Sequence, residues 1–178
     1  MTPTQKEKMF KVGFDTGLSM KTASQQQVRA FVHANTDRVE CSIPVMTTVH
    51  VSAMNDVQPA IREWTDSGAN RPRYFKPSKH NFPDIDSFAL VPGPGKWHDN
   101  FQSQLVVFQI YAGSSTTKYV KQLSQLINQF EQANMLNSEE LLNFVLVKPS
   151  GELHNLTNLQ FEDDYVKDRV RQWTLALR

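Results

Sequence analysis

Between residues 101 and 130 the spacing of apolar and polar positions changes period once, and the change predicts a strand followed by a helix. Leu105, Val106, Val107 and Phe108 run without a polar interruption and continue through Ile110 and Tyr111. Such a β-branched and aromatic run suits a strand buried on both faces. Ala112-Gly113 breaks it. Ser114, Ser115 and Thr116 are then N-cap candidates, because a hydroxyl can accept from the unpaired amides of a first helical turn. Val120, Leu123, Leu126, Ile127 and Phe130 follow at three- and four-residue steps, with Lys118, Lys121, Gln122, Gln125, Gln129 and Glu131 on the other side. That is one apolar stripe on one helix, aimed at the strand before it.

The rest of the chain is read the same way. Phe10, Val12 and Phe14 alternate within a possible N-terminal arm, residues 1–18. Residues 19–34 predict a modest helix, with Met20, Ala23, Val28, Phe31 and Val32 on its apolar side and Ser19 as a cap. Residues 39–54 are strand-like but contain Pro44, which has no N–H for a ladder, so an edge, a bulge or two strands is expected there. Residues 56–64 predict a short helix with Pro59 in the tolerated early position, ended by Ser67-Gly68. Residues 69–82 hold two prolines among Arg71, Arg73, Lys76, Lys79 and His80 and predict a basic, aromatic loop or extended arm. Residues 85–91 form a strand that stops at Pro92-Gly93-Pro94-Gly95. Residues 137–140 read as a linker or turn and residues 144–147 as a strand. Pro149-Ser150-Gly151 makes a turn, with residues 153–161 as hairpin partner. Glu162-Asp163-Asp164 interrupts, and residues 166–177 close the chain as a strand. The sum is an α+β fold: one domain over residues 1–178, with a mixed, mainly antiparallel sheet backed by two main helices.

Composition narrows the function classes. Apolar residues make up 39% and charged residues 21% of the 178-residue chain, and mean hydropathy is -0.47. No apolar run approaches the roughly 18–20 residues of a membrane span. The first residues, MTPTQKEKMFKVGF, lack a secretory apolar segment, so the product is expected to stay where it is made. Cys41 is the one cysteine, which rules out an internal disulfide framework and a cysteine-rich zinc site. With 19 basic and 18 acidic residues the net charge is +1, so no overall field argues for nucleic acid or a membrane surface.

Candidate chemistry is sparse. In TTVHVSAM, His50 and Ser52 lie two apart, so a strand would put imidazole and hydroxyl on one face, where they could hold a phosphate. This resembles one half of the signature of the LigT-like two-histidine phosphodiesterases, which would imply hydrolysis of cyclic or 2′-linked nucleotides. The second half is imperfect. His154 and Thr157 are one residue further apart than the motif requires, and one residue of slip turns a side chain to the other face. Gly93 and Gly95 alternate with prolines and lack a following Lys-Ser/Thr, so they do not make a phosphate-cradling loop. Glu162, Asp163 and Asp164 read as a solvated turn, and no cofactor or metal is expected. The strongest local binding candidate is the stretch around Arg71, Arg73, Tyr74, Phe75 and Lys76, whose cations pair with phosphates or acidic surfaces and whose rings can anchor in a partner.

From Arg71 onward the order of segments resembles the tail terminator (tail completion) proteins of long-tailed bacteriophages. The residues that carry the likeness are Phe82-Pro83 leading to a strand, the long strand 105–111, the helix 120–130, and an acidic turn and last strand over 163–177. It covers about the last 60% of the chain and rests on pattern and order. It implies a non-enzymatic virion protein: a ring, usually hexameric, that caps the tail tube, meets the tube or sheath protein and the head-side connector, and lets DNA pass through its lumen without specific binding. Host cytoplasm during assembly, then the tail or neck of the virion, would be its locations. The interface would draw on Arg71, Arg73, Tyr74, Phe75 and Lys76, on Trp97 and His98, and on Phe108 and Tyr111 of the long strand.

Overall fold

The structure is a computed structural model that describes Gln5 and residues 26–32, 38–43, 46–67, 71–78, 85–91, 105–111, 117–149 and 158–177. In chain order its strands are β1 (Gln26–Val32), β2 (Arg38–Ile43), β3 (Thr47–Val51), β4 (Arg73–Pro77), β5 (Ser87–Leu90), β6 (Leu105–Ile110), β7 (Thr117–Val120), β8 (Leu142–Pro149), β9 (Asn158–Phe161) and β10 (Val170–Leu177). The helices are α1 (Val57–Asp66), α2 (Leu123–Gln132) and the short α3 (Asp164–Asp168). Eight strands form one mixed sheet in the order β2-β1-β10-β8-β6-β5-β4-β3, and β7 pairs with β9 in a small separate sheet. The fold is the expected α+β arrangement with two main helices.

β6 sits near the middle because every one of its six residues is buried. It pairs antiparallel with β5 and parallel with β8, which itself pairs parallel with β10. The parallel pairs β3–β4 and β6–β8 are bridged by α1 and α2 respectively. α1 buries Val57, Ile61 and Trp64, one residue per turn, and Pro59 lies in its first turn, where a missing N–H costs nothing. The Trp64 Nε1–H donates to the Arg71 carbonyl at 2.7 Å, which ties the end of α1 to the start of β4. α2 buries Leu123, Leu126, Ile127 and Phe130. It ends in a left-handed cap: Asn134 has φ 57°, its N–H donates to Glu131 O, and Met135 N–H donates to Phe130 O. That pair of bonds satisfies two terminal carbonyls and turns Met135 back against the core.

Alternation sorts the core. On the helix-covered face Phe75 stacks on Phe88, with centroids 4.8 Å apart, and Phe88 meets Phe130 of α2 edge-on at 5.3 Å. Leu105, Val107, Phe144 and Leu146 complete that layer. On the other face Tyr74, Ala89, Val106, Phe108, Val145 and Trp173 are just as buried. Burial on both sides explains why the central strands read as unbroken apolar runs.

One connection fixes the curvature. β2 and β3 are the two terminal strands of the sheet, yet only three residues separate Ile43 from Thr47. Those residues span at most about 15 Å, whereas the two edges of a flat eight-strand sheet stand about 33 Å apart. The sheet therefore curls so that its two terminal strands, β2 and β3, come near one another. β2 pairs with β1, and β3 with β4. Pro44, where a break was expected, lies outside the described residues, between β2 and β3.

Several sequence expectations give way. The described part of the predicted helix 19–34 is strand β1, because Val28, Ala30 and Val32 alternate and neighbours are available on both sides, β10 and β2. The helix expected from about residue 116 begins only at Leu123. Its predicted first turns are β7, which finds a parallel partner in β9, and Gln122 starts the helix with φ 60°. Ser114, Ser115 and Thr116 lie outside the described residues, as do Phe10, Val12, Phe14, Phe82-Pro83 and the Pro-Gly run at 92–95. β9 is no hairpin partner of β8, since both sides of β8 are already occupied by β6 and β10. Val166 belongs to α3, and the last strand starts at Val170.

Candidate functional site

The basic, aromatic stretch 69–82 is the first place where a site was expected, and its described core is strand β4 in place of a loop. Both prolines fall at boundaries: Pro72 precedes the strand and Pro77 is its last residue, so neither breaks the ladder. Tyr74, Phe75 and Phe108 have 0% exposure, so they are core residues with no surface to offer a partner. The Tyr74 hydroxyl lies 2.7 Å from Ser87 Oγ and its ring meets Phe108 edge-on. Arg71 is exposed, and Arg73 and Lys76 are half-buried. Alternation puts Arg73 on the side of α1, where its guanidinium lies 3.8 Å from the Glu63 carboxylate. Lys76 faces the other way, in register with His50 of β3. Tyr111 is half-buried, with the Lys148 ammonium 5.7 Å from its ring centroid. Trp97 and His98 lie outside the described residues.

His50 is exposed on an edge strand, and Ser52 is exposed beyond it. The Ser78 hydroxyl lies 3.3 Å from Ser52 Oγ, and Ser78 N–H donates to Val51 O at 2.9 Å, so this hydroxyl pair continues the β3–β4 contact past the ladder. His154 lies outside the described residues. Among the described residues no group of three His, Cys, Asp or Glu side chains stands close enough to hold a metal.

A second cluster was not anticipated. On the helix-side face, near the carboxyl ends of the parallel strands, one row across the sheet reads Thr174, Leu146, Gln109, with Asp86 just beyond, and the next holds Lys148 and Tyr111. Asp86 Oδ2 accepts from the Ile110 N–H at 2.6 Å and from Gln109 Nε2 at 3.1 Å. Among the described residues, Gln109 Oε1 and Thr174 Oγ1 are buried with no hydrogen-bond partner. The carboxyl ends of parallel strands are where open α/β sheets collect ligands. Here Gln109, Lys148 and Thr174 are themselves buried, polar residues at the end of the apolar layer. The row's only trace in the sequence is single polar residues inside apolar runs: Gln109 in LVVFQI, Lys148 after FVLV, Thr174 after Trp173.

A third cluster is structural. Arg169, 9% exposed, donates to the Glu131 carboxylate and, at 2.7 Å, to the Asn137 carbonyl, while Tyr165 OH donates to the same Glu131 oxygen at 3.0 Å. The start of β10 is thus pinned to the end of α2 and to the turn after it. The Tyr165 phenol is held above its ordinary value of 10.0, first by partial burial and then by the Glu131 carboxylate, against an opposing pull from Arg169. The acidic turn has a local purpose too: Asp163 Oδ1 accepts from the Val166 N–H at 2.8 Å and caps α3.

None of the helices among the described residues is long and apolar enough to cross a membrane. Comparison with protein-family models, with curated proteins and with solved structures finds no match for this chain.

Proposed function

We propose that the chain is a non-enzymatic structural subunit of a bacteriophage tail, of the tail terminator kind, assembling as a ring that caps the tail tube and meets the head-side connector. The observation that carries this reading is the edge strand β3. Among the described residues it pairs with β4 alone, and its Thr47 and His50 are exposed beside Lys76 and near Arg71. A strand that pairs on one side only among the described strands is a candidate template for another chain, and polar or cationic flanks suit a wet, specific contact more than aggregation. Repeated head-to-tail, one such contact per copy closes a ring. The order β5, β6, α2, then the acid-capped α3 and β10, is the order on which the resemblance rests and supports the same reading. A net charge of +1 suits a lumen through which DNA slides without being gripped.

The test is negative-stain imaging of the purified full chain, with light scattering to give its mass. Rings with a central opening are expected, and the same protein is expected in tail fractions. A strictly monomeric protein at its highest soluble concentration, absent from particles, refutes the reading.

A further inference from the structure

We infer that the acidic face built around Tyr165 and Leu141 docks on the basic stretch 71–76 of a second copy of this chain. The inference deepens the ring reading, because it names the two surfaces that meet, and it rests on that reading only for the closed circle.

The anchors come first. Among the described residues three large hydrophobic side chains are exposed, and two of them, Tyr165 at 47% and Leu141 at 42%, flank one residue, Arg169. The Arg169 guanidinium lies 5.8 Å from the centre of the Tyr165 ring, with Nη1 3.3 Å from the phenol oxygen. The Arg169 carbonyl accepts at 2.8 Å from the N–H of Leu142, the neighbour of Leu141. A single exposed apolar side chain is ordinary, but an aromatic and an aliphatic one on either side of a fixed base suit the centre of a contact. The base is fixed: Arg169 is buried, the Tyr165 hydroxyl donates to Glu131, and Asp163 caps the helix that carries the ring. An anchor already held in place loses little freedom on docking.

Charge then selects the partner. Asp164 and Asp168 are exposed beside Tyr165 in the chain, and Glu139 is exposed two residues before Leu141. Residues 131–169 hold eight of the chain's 18 acidic residues and three of its 19 basic ones, a net charge of −5, so the remaining 10 acidic and 16 basic residues leave +6. Such a face calls for a cationic surface, and the chain carries one along β4, where Arg71 is exposed and Arg73 and Lys76 are half-buried. The two patches do not meet within one copy. A row of facing residues crosses the sheet from Tyr74 through Ala89, Val106 and Asn143 to Arg171. Arg73 stands next to one end of that row and α3 just before the other, four strand spacings or about 19 Å away along the sheet. The buried strands β5, β6 and β8 lie between, so neither patch neutralises the other. Two different, complementary patches make a head-to-tail contact, and repetition of that contact is what closes a ring.

The experiment reverses the charges on full-length chains. One variant carries Asp164→Lys and Asp168→Lys, a second carries Arg71→Glu and Lys76→Glu, and a third carries all four changes. Association is measured by sedimentation, and the urea midpoint of each variant is compared with that of the native chain. The first and second variants are each expected to associate about tenfold or more weakly, because like charges then face each other across the contact. Mixed in equal amounts they are expected to recover association, as is the third variant alone, since opposite charges face again at every contact. Tyr165→Ala is expected to weaken association with the charges intact. If a double reversal shifts the urea midpoint, Asp168→Lys and Arg71→Glu, single changes at exposed positions, are scored in the same way. The inference is overturned if the reversed chains associate as the native chain does, or if neither the mixture nor the fourfold variant recovers association. The ring reading is scored separately. Native rings untouched by reversal leave that reading standing and remove this contact. Native chains that associate only into pairs or open strings, and lose them on reversal, keep the contact and remove the ring. A native chain that stays monomeric overturns both.

Discussion

Replacing Phe75 by alanine separates the two readings of the basic, aromatic stretch. If Phe75 were a loop anchor awaiting a partner, truncation would weaken association and leave the fold alone. With 0% exposure, a ring stacked on Phe88 at 4.8 Å and an interplanar angle of 7°, the structure requires the opposite. A buried phenylalanine removes about 150–250 Å² from water, which at about 25 cal/mol per Å² sets an upper bound of about 4–6 kcal/mol. Truncations of this kind cost about 3–5 kcal/mol once the cavity is included, so about 4 kcal/mol is expected. For a urea dependence of about 2 kcal/mol per molar, the unfolding midpoint falls by about 2 M with little change in slope. Trp64 and Trp173, both buried, report the transition by fluorescence at fixed protein concentration. Phe88→Ala and the double variant complete a cycle whose coupling is about 1 kcal/mol for a stacked pair. A shift no larger than the about 0.5 kcal/mol of a surface substitution would falsify the placement of β4 in the core.

Two further outcomes follow from the end of the chain. Asp163→Ala removes the α3 cap and should cost about 1 kcal/mol in urea unfolding, with Asp163→Asn restoring most of it, because an amide oxygen can still accept from Val166. Tyr165 has a folded-state value raised above its unfolded one, so the stability it contributes is complete below pH 10 and is lost as pH rises through the folded value. The alkaline limb of the native protein should therefore be steeper than that of Tyr165→Phe, and superimposable limbs would remove the Glu131–Tyr165 bond from the account.

The amino-acid sequence alone determined the elements whose pattern has a single solution. β6 is an unbroken apolar run that only a two-sided buried strand accommodates. The Leu123–Phe130 stripe fits a helix alone, and α1 carries one buried residue per turn. Pro44 was enough to require a break in the strand-like stretch 39–54, since a missing N–H is a local fact. Pairing was decided only in three dimensions. Val28, Phe31 and Val32 satisfy a helical spacing about as well as an alternating one, and ladders to β10 and β2 chose the strand. The stretch 117–120 continues the helical stripe, yet it became β7 once Asn158–Phe161 lay alongside. Tyr74 and Phe75 stand among five basic residues and read as surface, because a strand end with basic flanks looks like a loop until a sheet neighbour and a covering helix exist. The candidate site follows the same division. Arg71, Arg73, Lys76 and His50 are visible as polar, basic residues in the chain, but that His50 and Lys76 share one face of the β3–β4 pair is a matter of register. Neither the Asp86–Gln109–Thr174 row nor the approach of β2 to β3 from opposite ends of the sheet exists before the strands are ordered. Both arise from contacts between residues far apart in the chain, which no local pattern encodes.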